Sequence, residues 1–132
     1  MSKNEEYIMK ILLKENIKFE REKTFEDLKK GKYRFDFYLS DIAGAPCILE
    51  VDGEAHFQKI KHFHKTNSDF LKYQEHDRRK NSYCLANNIP LYRIPYWEIK
   101  NIHTLKDILK DEFRVKSKWY NDNIRRDKLE KF

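Results

Sequence analysis

Two cysteines, Cys47 and Cys84, are all the thiol this 132-residue chain carries. No CxxC pair occurs, which excludes a cysteine-rich structural zinc site. Both cysteines lie in apolar stretches, and the reading is a reduced, cytosolic protein without disulfides. Long hydrophobic runs are missing too: no stretch approaches the ~20 apolar residues that span a membrane. The start "MSKNEEYIMK" has neither the apolar core nor the small-residue cleavage site of a signal peptide. Repeats and low-complexity segments are absent. A chain of this length reads as one domain with a modest core, and 39% hydrophobic and 14% aromatic residues suffice to build it.

Positive charge is in excess. The net charge is +6 and the sequence pI about 9.2. Such a balance fits a polyanionic partner, nucleic acid first, although solubility alone also accounts for it.

Along the chain, Ser2 and Glu5 form a capping-box pattern ahead of Ile8, Ile11 and Leu12. This predicts a helix ending near Asn16. "IKFEREKTF" alternates loosely and reads as an edge strand. "YRFDFYL" alternates well, with Phe35, Phe37 and Leu39 on one face and Arg34, Asp36 and Tyr38 on the other. "SDIAGAP" reads as a hairpin loop and "CILEVD" as the central strand. The irregular "GEAHFQKIKHFHKTN" reads as a functional loop. A long helix is expected from about Ser68 to Asn87, then a strand "IPLYRIPY", then a short helix capped by Thr104. The order is α-β-β-β-α-β-α, a mixed α/β (α+β) fold with helices on both faces of a mixed sheet. Residues 114–132 hold seven Lys/Arg against three Asp/Glu, interleaved with Trp119, Tyr120 and Phe132. They read as a separate basic C-terminal helix after a domain of residues 1–113. That helix is either a backbone-binding arm or a solvated helix packed on the domain.

Carboxylates in an apolar strand are costly unless something pairs with them. Glu50 and Asp52 share one pleat face of the central strand, and a hairpin brings Asp36 alongside. Three carboxylates on one patch repel unless a cation sits among them, and hard oxygen donors suit Mg²⁺ or Mn²⁺. The alternative is a buried salt-bridge network with Arg34 or Arg93. His56, just past the turn, fits a general base for water or a group that steadies the leaving oxygen; the alternative is a hydrogen-bonding loop histidine. His62, His64, Lys59, Lys61 and Lys65 read as phosphate contacts or solvation. Phe70, Asp77 and Cys84 share a stripe of the long helix, which turns Asp77 and Lys80 toward the cluster, unless the two form a plain surface pair. Glu5 either completes the helix cap or reaches the cluster as well; Glu20 and Glu22 are weaker candidates.

Taken together, "SKNE", "FEREKTF", "RFDFYL", "ILEVDGEAHF", "EHDRRKNSYC" and "IPLYRIPYWE" resemble the Vsr-like (very short patch repair-like) nucleases of the PD-(D/E)XK superfamily, near the EDxHD group, over residues 2 to 100. The resemblance implies a restriction-endonuclease-like fold and a divalent-metal-dependent phosphodiesterase. It implies Asp36 as the metal-binding aspartate, Glu50 and Asp52 at the next acidic positions, His56 after the turn, Asp77 and Lys80 on the following helix, and Glu5 on the first. Asp52 stands where the wider superfamily has the motif lysine, which leaves His56 or Lys80 for that role. The cysteine and histidine set that holds zinc in the repair enzymes is lacking, which puts mismatch recognition of their kind in doubt. The expectation is a Mg²⁺- or Mn²⁺-dependent DNA endonuclease or nickase, cytoplasmic in a bacterial or phage-infected cell, with a homodimer left open. The competing expectation is a catalytically inactive nuclease-fold protein that binds nucleic acid or docks a complex.

Overall fold

The computed structural model describes residues 1–57 and 66–124. His62, His64, Lys59, Lys61, Lys65 and the end of the tail with Phe132 lie outside the described residues. The first helix, α1 (Lys3–Lys14), starts as its capping box dictates: the Ser2 hydroxyl accepts from the Glu5 N–H, and the Glu5 carboxylate accepts from the Ser2 N–H. Ile8, Ile11 and Leu12 recur at helical spacing and are buried. At ~1.5–3 kcal/mol for each side chain, their burial is what docks the helix. Asn16 ends it in the left-handed region (φ 57°), which asparagine tolerates better than most residues.

Four strands follow: β1 (Glu20–Lys23), β2 (Phe35–Ile42), β3 (Ala45–Asp52) and β4 (Leu91–Pro95). They form one sheet in the order β1-β2-β3-β4, antiparallel except for the parallel β3–β4 pair. The β2–β3 hairpin is tighter than "SDIAGAP" implied, with only Ala43 and Gly44 between the strands. Both have positive φ (54° and 89°), the combination that a two-residue turn needs to match strand twist. Parallel strands cannot be joined by a hairpin, and α2 (Asn67–Ala86) makes the crossover from β3 to β4. A second capping box, Thr66 with Asp69, starts α2 one residue before the expected Ser68.

Helices do cover both faces. Ile8, Ile11 and Leu12 of α1 pack with Phe37, Leu39, Leu49 and Ile94, while Cys84 of α2 packs with Phe35, Ile48 and Leu91. Phe35 therefore leaves the face that strict alternation assigned to it and joins the α2 side. The expected "TLKDILKDEF" helix is reduced to α3 (Leu105–Ile108) and a 3-10 turn, Asp111–Phe113.

Residues 114–124 pack against the rest of the fold. Arg114 bridges to Tyr92, and the Val115 N–H donates to the Leu91 carbonyl at 2.8 Å. Val115 is buried in the α2-side core, and residues 120–124 are helical and seated on α2. The Arg78 guanidinium clamps Asp122 (3.1 and 3.3 Å), and Asn81 donates to the Lys118 carbonyl. Residues 114–124 complete the domain and do not form a separate arm.

Candidate active site

The β2–β3 ladder pairs Leu39 with Cys47, Tyr38 with Ile48 and Phe37 with Leu49, and there it stops. The next pair in register is Asp36 opposite Glu50. Here side chains replace the ladder: Glu50 Oε1 accepts from the Asp36 N–H at 3.1 Å, and Asp36 Oδ2 accepts from the Val51 N–H at 2.7 Å. Each strand's exposed amide is satisfied by a carboxylate of the other, so the strands part and both acids stand at the opening. Glu5 hydrogen-bonds Asp36 from α1, and Arg21 stands 3.8 Å from Glu5. From α2, Lys80 Nζ donates to Glu50 Oε1 at 3.3 Å.

Protonation follows from the crowding. Burial, then the Glu50 charge, push the Asp36 carboxyl well above the usual carboxylate range, and the Glu5 bond adds to this. Burial pushes Glu5 the same way, but the Ser2 N–H, Asp36 and the Ser2 hydroxyl outweigh it and hold Glu5 below its ordinary value.

Asp52 stands apart from that pair. It is buried, one oxygen accepting from Arg93 Nη1 at 2.8 Å and the other from Asn121 Nδ2 at 2.8 Å. Arg93, with no exposed surface, also donates to Asn81 Oδ1 at 2.7 Å and lies 3.6 Å from Asp77. Of the two arrangements left open for the three acids, Asp52 adopts the salt-bridge network with Arg93, while Asp36 and Glu50 stay together. Both Asp52 oxygens accept hydrogen bonds there, which makes it counter-ion to Arg93. Among the described residues, no group of three or more His, Cys, Asp or Glu side chains is placed to hold a metal ion.

His56 lies in a 3-10 turn, Glu54–His56, held down by Phe57, which is buried against Trp97 (ring centroids 4.8 Å apart). Its Nδ1 meets Asp77 Oδ2 at 2.8 Å and Asp52 Oδ1 at 3.7 Å. Burial pulls the imidazole pKa down, but the Asp52 and Asp77 charges and the Asp77 bond carry it up to about 9. A raised pKa favours His56 as a proton donor or anion contact at neutral pH. Asp77 and Lys80 do turn inward, so the plain surface pair does not form. Glu20 and Glu22 pair instead with Lys23 and Arg34 at the surface.

A cleft of about 300 Å³ opens here, with Lys32, Arg34, His56 and Lys80 supplying positive charge, Asp77 behind His56, and Tyr33, Tyr73 and His76 as aromatic wall. His76 was not singled out from sequence. Burial and the Lys80 charge lower its pKa, so it is the cleft's neutral imidazole. Asn121 also escaped notice in this setting; only the unusual polarity of α2's buried stripe, Gln74, Asp77, Asn81 and Cys84, signals a polar partner across from it.

Fold and site define a mixed α/β protein whose four-stranded mixed sheet is flanked by helices. No protein-family model and no solved structure matches the chain. Among curated proteins it is similar to the uncharacterized protein 307L of Invertebrate iridescent virus 6, 37% identical over 60 residues. The match covers 46% of this chain and 27% of that protein, so the chain spans about a quarter of the relative's length. Among the described residues, no helix is long and apolar enough to cross a membrane.

Proposed function

We propose that the protein is a metal-dependent DNA endonuclease or nickase of restriction-endonuclease-like architecture. One observation carries this reading: where β2 and β3 part, Asp36 and Glu50 face each other, with Lys80 3.3 Å from Glu50 beside a basic cleft. The donor set fits a hard divalent ion. Asp36 and Glu50 offer only carboxylate oxygens, and the crowding that raises the Asp36 pKa is a repulsion that a divalent charge relieves. Two carboxylates suffice for Mg²⁺, which keeps several waters and takes further oxygens from substrate phosphates. Asp36 and Glu50 would hold the ion, and when bound it supplies Lewis-acid polarisation of a phosphoryl oxygen and a more acidic water.

The chain's own residues do the rest. Lys80 brings its ammonium to the cleft side of Glu50, where it steadies charge developing on the phosphate. His76, neutral, is able to take a proton from the attacking water. His56, cationic and oriented by Asp77, is able to give one to the departing sugar oxygen. Two imidazoles with pKa values driven apart by their surroundings divide base and acid work in this way. Lys32 and Arg34 hold flanking phosphates.

Supercoiled plasmid incubated with Mg²⁺ or Mn²⁺ tests the reading. The expected product is nicked or linear DNA, absent in chelator and reduced by ~100-fold or more in Asp36→Ala and Lys80→Ala. DNA that is bound but left intact under all these conditions overturns it.

A further inference from the structure

A second and larger groove, about 560 Å³, lies along another side of α2 from the cleft. Lys29, Arg78, Arg79, Tyr83, Lys118 and Trp119 line it. Its charge is not fully spent on internal pairs: Arg78 is engaged by Asp122 and Arg79 by Glu75, but Lys29 and Lys118 make no ion pair among the described residues. Trp119 is 46% exposed, an uncommon position for the largest apolar side chain. Two cations lie close to its ring: the Arg78 guanidinium is 4.9 Å and the Lys118 ammonium 4.7 Å from the centroid. The indole is thus held in place beside charge, with nearly half its surface uncovered.

We propose that this groove is a second nucleic-acid subsite, in which an unstacked base of a single-stranded segment lies on the Trp119 indole while Lys29 and Lys118 contact its phosphates. Cations that track a backbone beside an aromatic platform are the chemistry that binds single strands without sequence preference. A base in a duplex keeps both faces stacked and cannot use the indole. The groove and the cleft share α2, whose diameter is about 10–12 Å, so a strand of a few nucleotides reaches from one to the other. The subsite makes the substrate class one with single-stranded character, such as a flap, a gap or a melted end. It rests on the reading that the partner is a nucleic acid, and not on cleavage.

Tryptophan emission tests it, with oligo(dT) and a blunt duplex of equal length as probes, in chelator so that nothing is cut. Oligo(dT) is expected to quench emission and to bind more tightly than the duplex. Trp119→Ala is expected to remove that quenching and to weaken oligo(dT) binding ~10-fold, a loss in the range of one base–aromatic stack. Lys29→Ala lowers the salt slope for oligo(dT) by ~0.7, as one lost single-strand phosphate contact does. Lys10→Ala, an equal loss of charge on α1 across the sheet, leaves affinity unchanged. Circular dichroism of each variant confirms that the fold is kept. Unaltered emission, equal affinity of Trp119→Ala, or equal quenching by polyglutamate overturns the proposal. Quenching by oligo(dT) without plasmid cutting supports the subsite while sinking the nuclease reading. Plasmid cutting without quenching does the reverse.

Discussion

Arg93 is the residue on which the interior electrostatics turn. It has no exposed surface, and it stands 2.8 Å from Asp52 and 3.6 Å from Asp77. Removing one partner of a buried pair strands the other charge, so Arg93→Ala is expected to cost about 3–5 kcal/mol, read from the shift in urea unfolding. His56 adds a pH-dependent share. Its folded pKa, about 9, exceeds its ordinary value of 6.5, so the folded state holds the proton more tightly. The stabilisation is complete below 6.5 and is lost as pH rises through 9. His56→Gln is therefore expected to lower stability at pH 6, by on the order of 3 kcal/mol, and to change it little at pH 10. Unfolding midpoints of wild type and variant at the two pH values check this. Asp52 shows why sequence alone left its role open: its counter-ion lies 41 positions away on β4, in parallel register opposite Glu50, two residues before it on its strand. A spacing rule along one strand identifies the acids but not which cation each will meet.

Elements were more legible than their ends. Three capping boxes, at Ser2, Thr66 and Thr104, start helices at or next to the residues that the pattern indicates, because a cap is a local hydrogen-bond arrangement. The β2–β3 hairpin and the crossover helix were legible from alternation and length. The exceptions have non-local causes. Phe35 changes faces because the strands part at Asp36 and Glu50. Whether residues 114–124 stand off as an arm or pack on the domain stayed open because a charge count cannot see that Asn121 is buried on Asp52 and that Asp122 is clamped by Arg78. A chain stopped after residue 113 is thus expected to lose the Val115 packing, the Asn121 bond and the Asp122 clamp together. Its thermal unfolding, followed by circular dichroism, should become broad and non-cooperative, whereas an independent arm could be removed without that effect.

For the molecule as a whole, Arg93 is the one basic side chain among the buried charges of the described residues, and several other bases border the cleft and the groove. Asp52, Asp77 and Glu50 are buried, whereas Lys29, Lys32, Arg34 and Lys118 border the cleft and the groove. A net charge of +6 so arranged predicts DNA affinity that falls steeply with salt. Lys32→Ala should reduce the log–log slope for duplex DNA by about 1, with no change in which sequences are preferred. Fluorescence anisotropy over a salt series measures it. The bond from Asn121 to Asp52 also bears on timing during synthesis. When the ribosome has released the chain as far as Pro95, strands, crossover helix and both buried charges are present, but the amide that closes the network has yet to emerge. The buried network around Arg93 is therefore closed only once residue 121 has emerged, and a chain released only as far as Pro95 is kept from its full architecture until then.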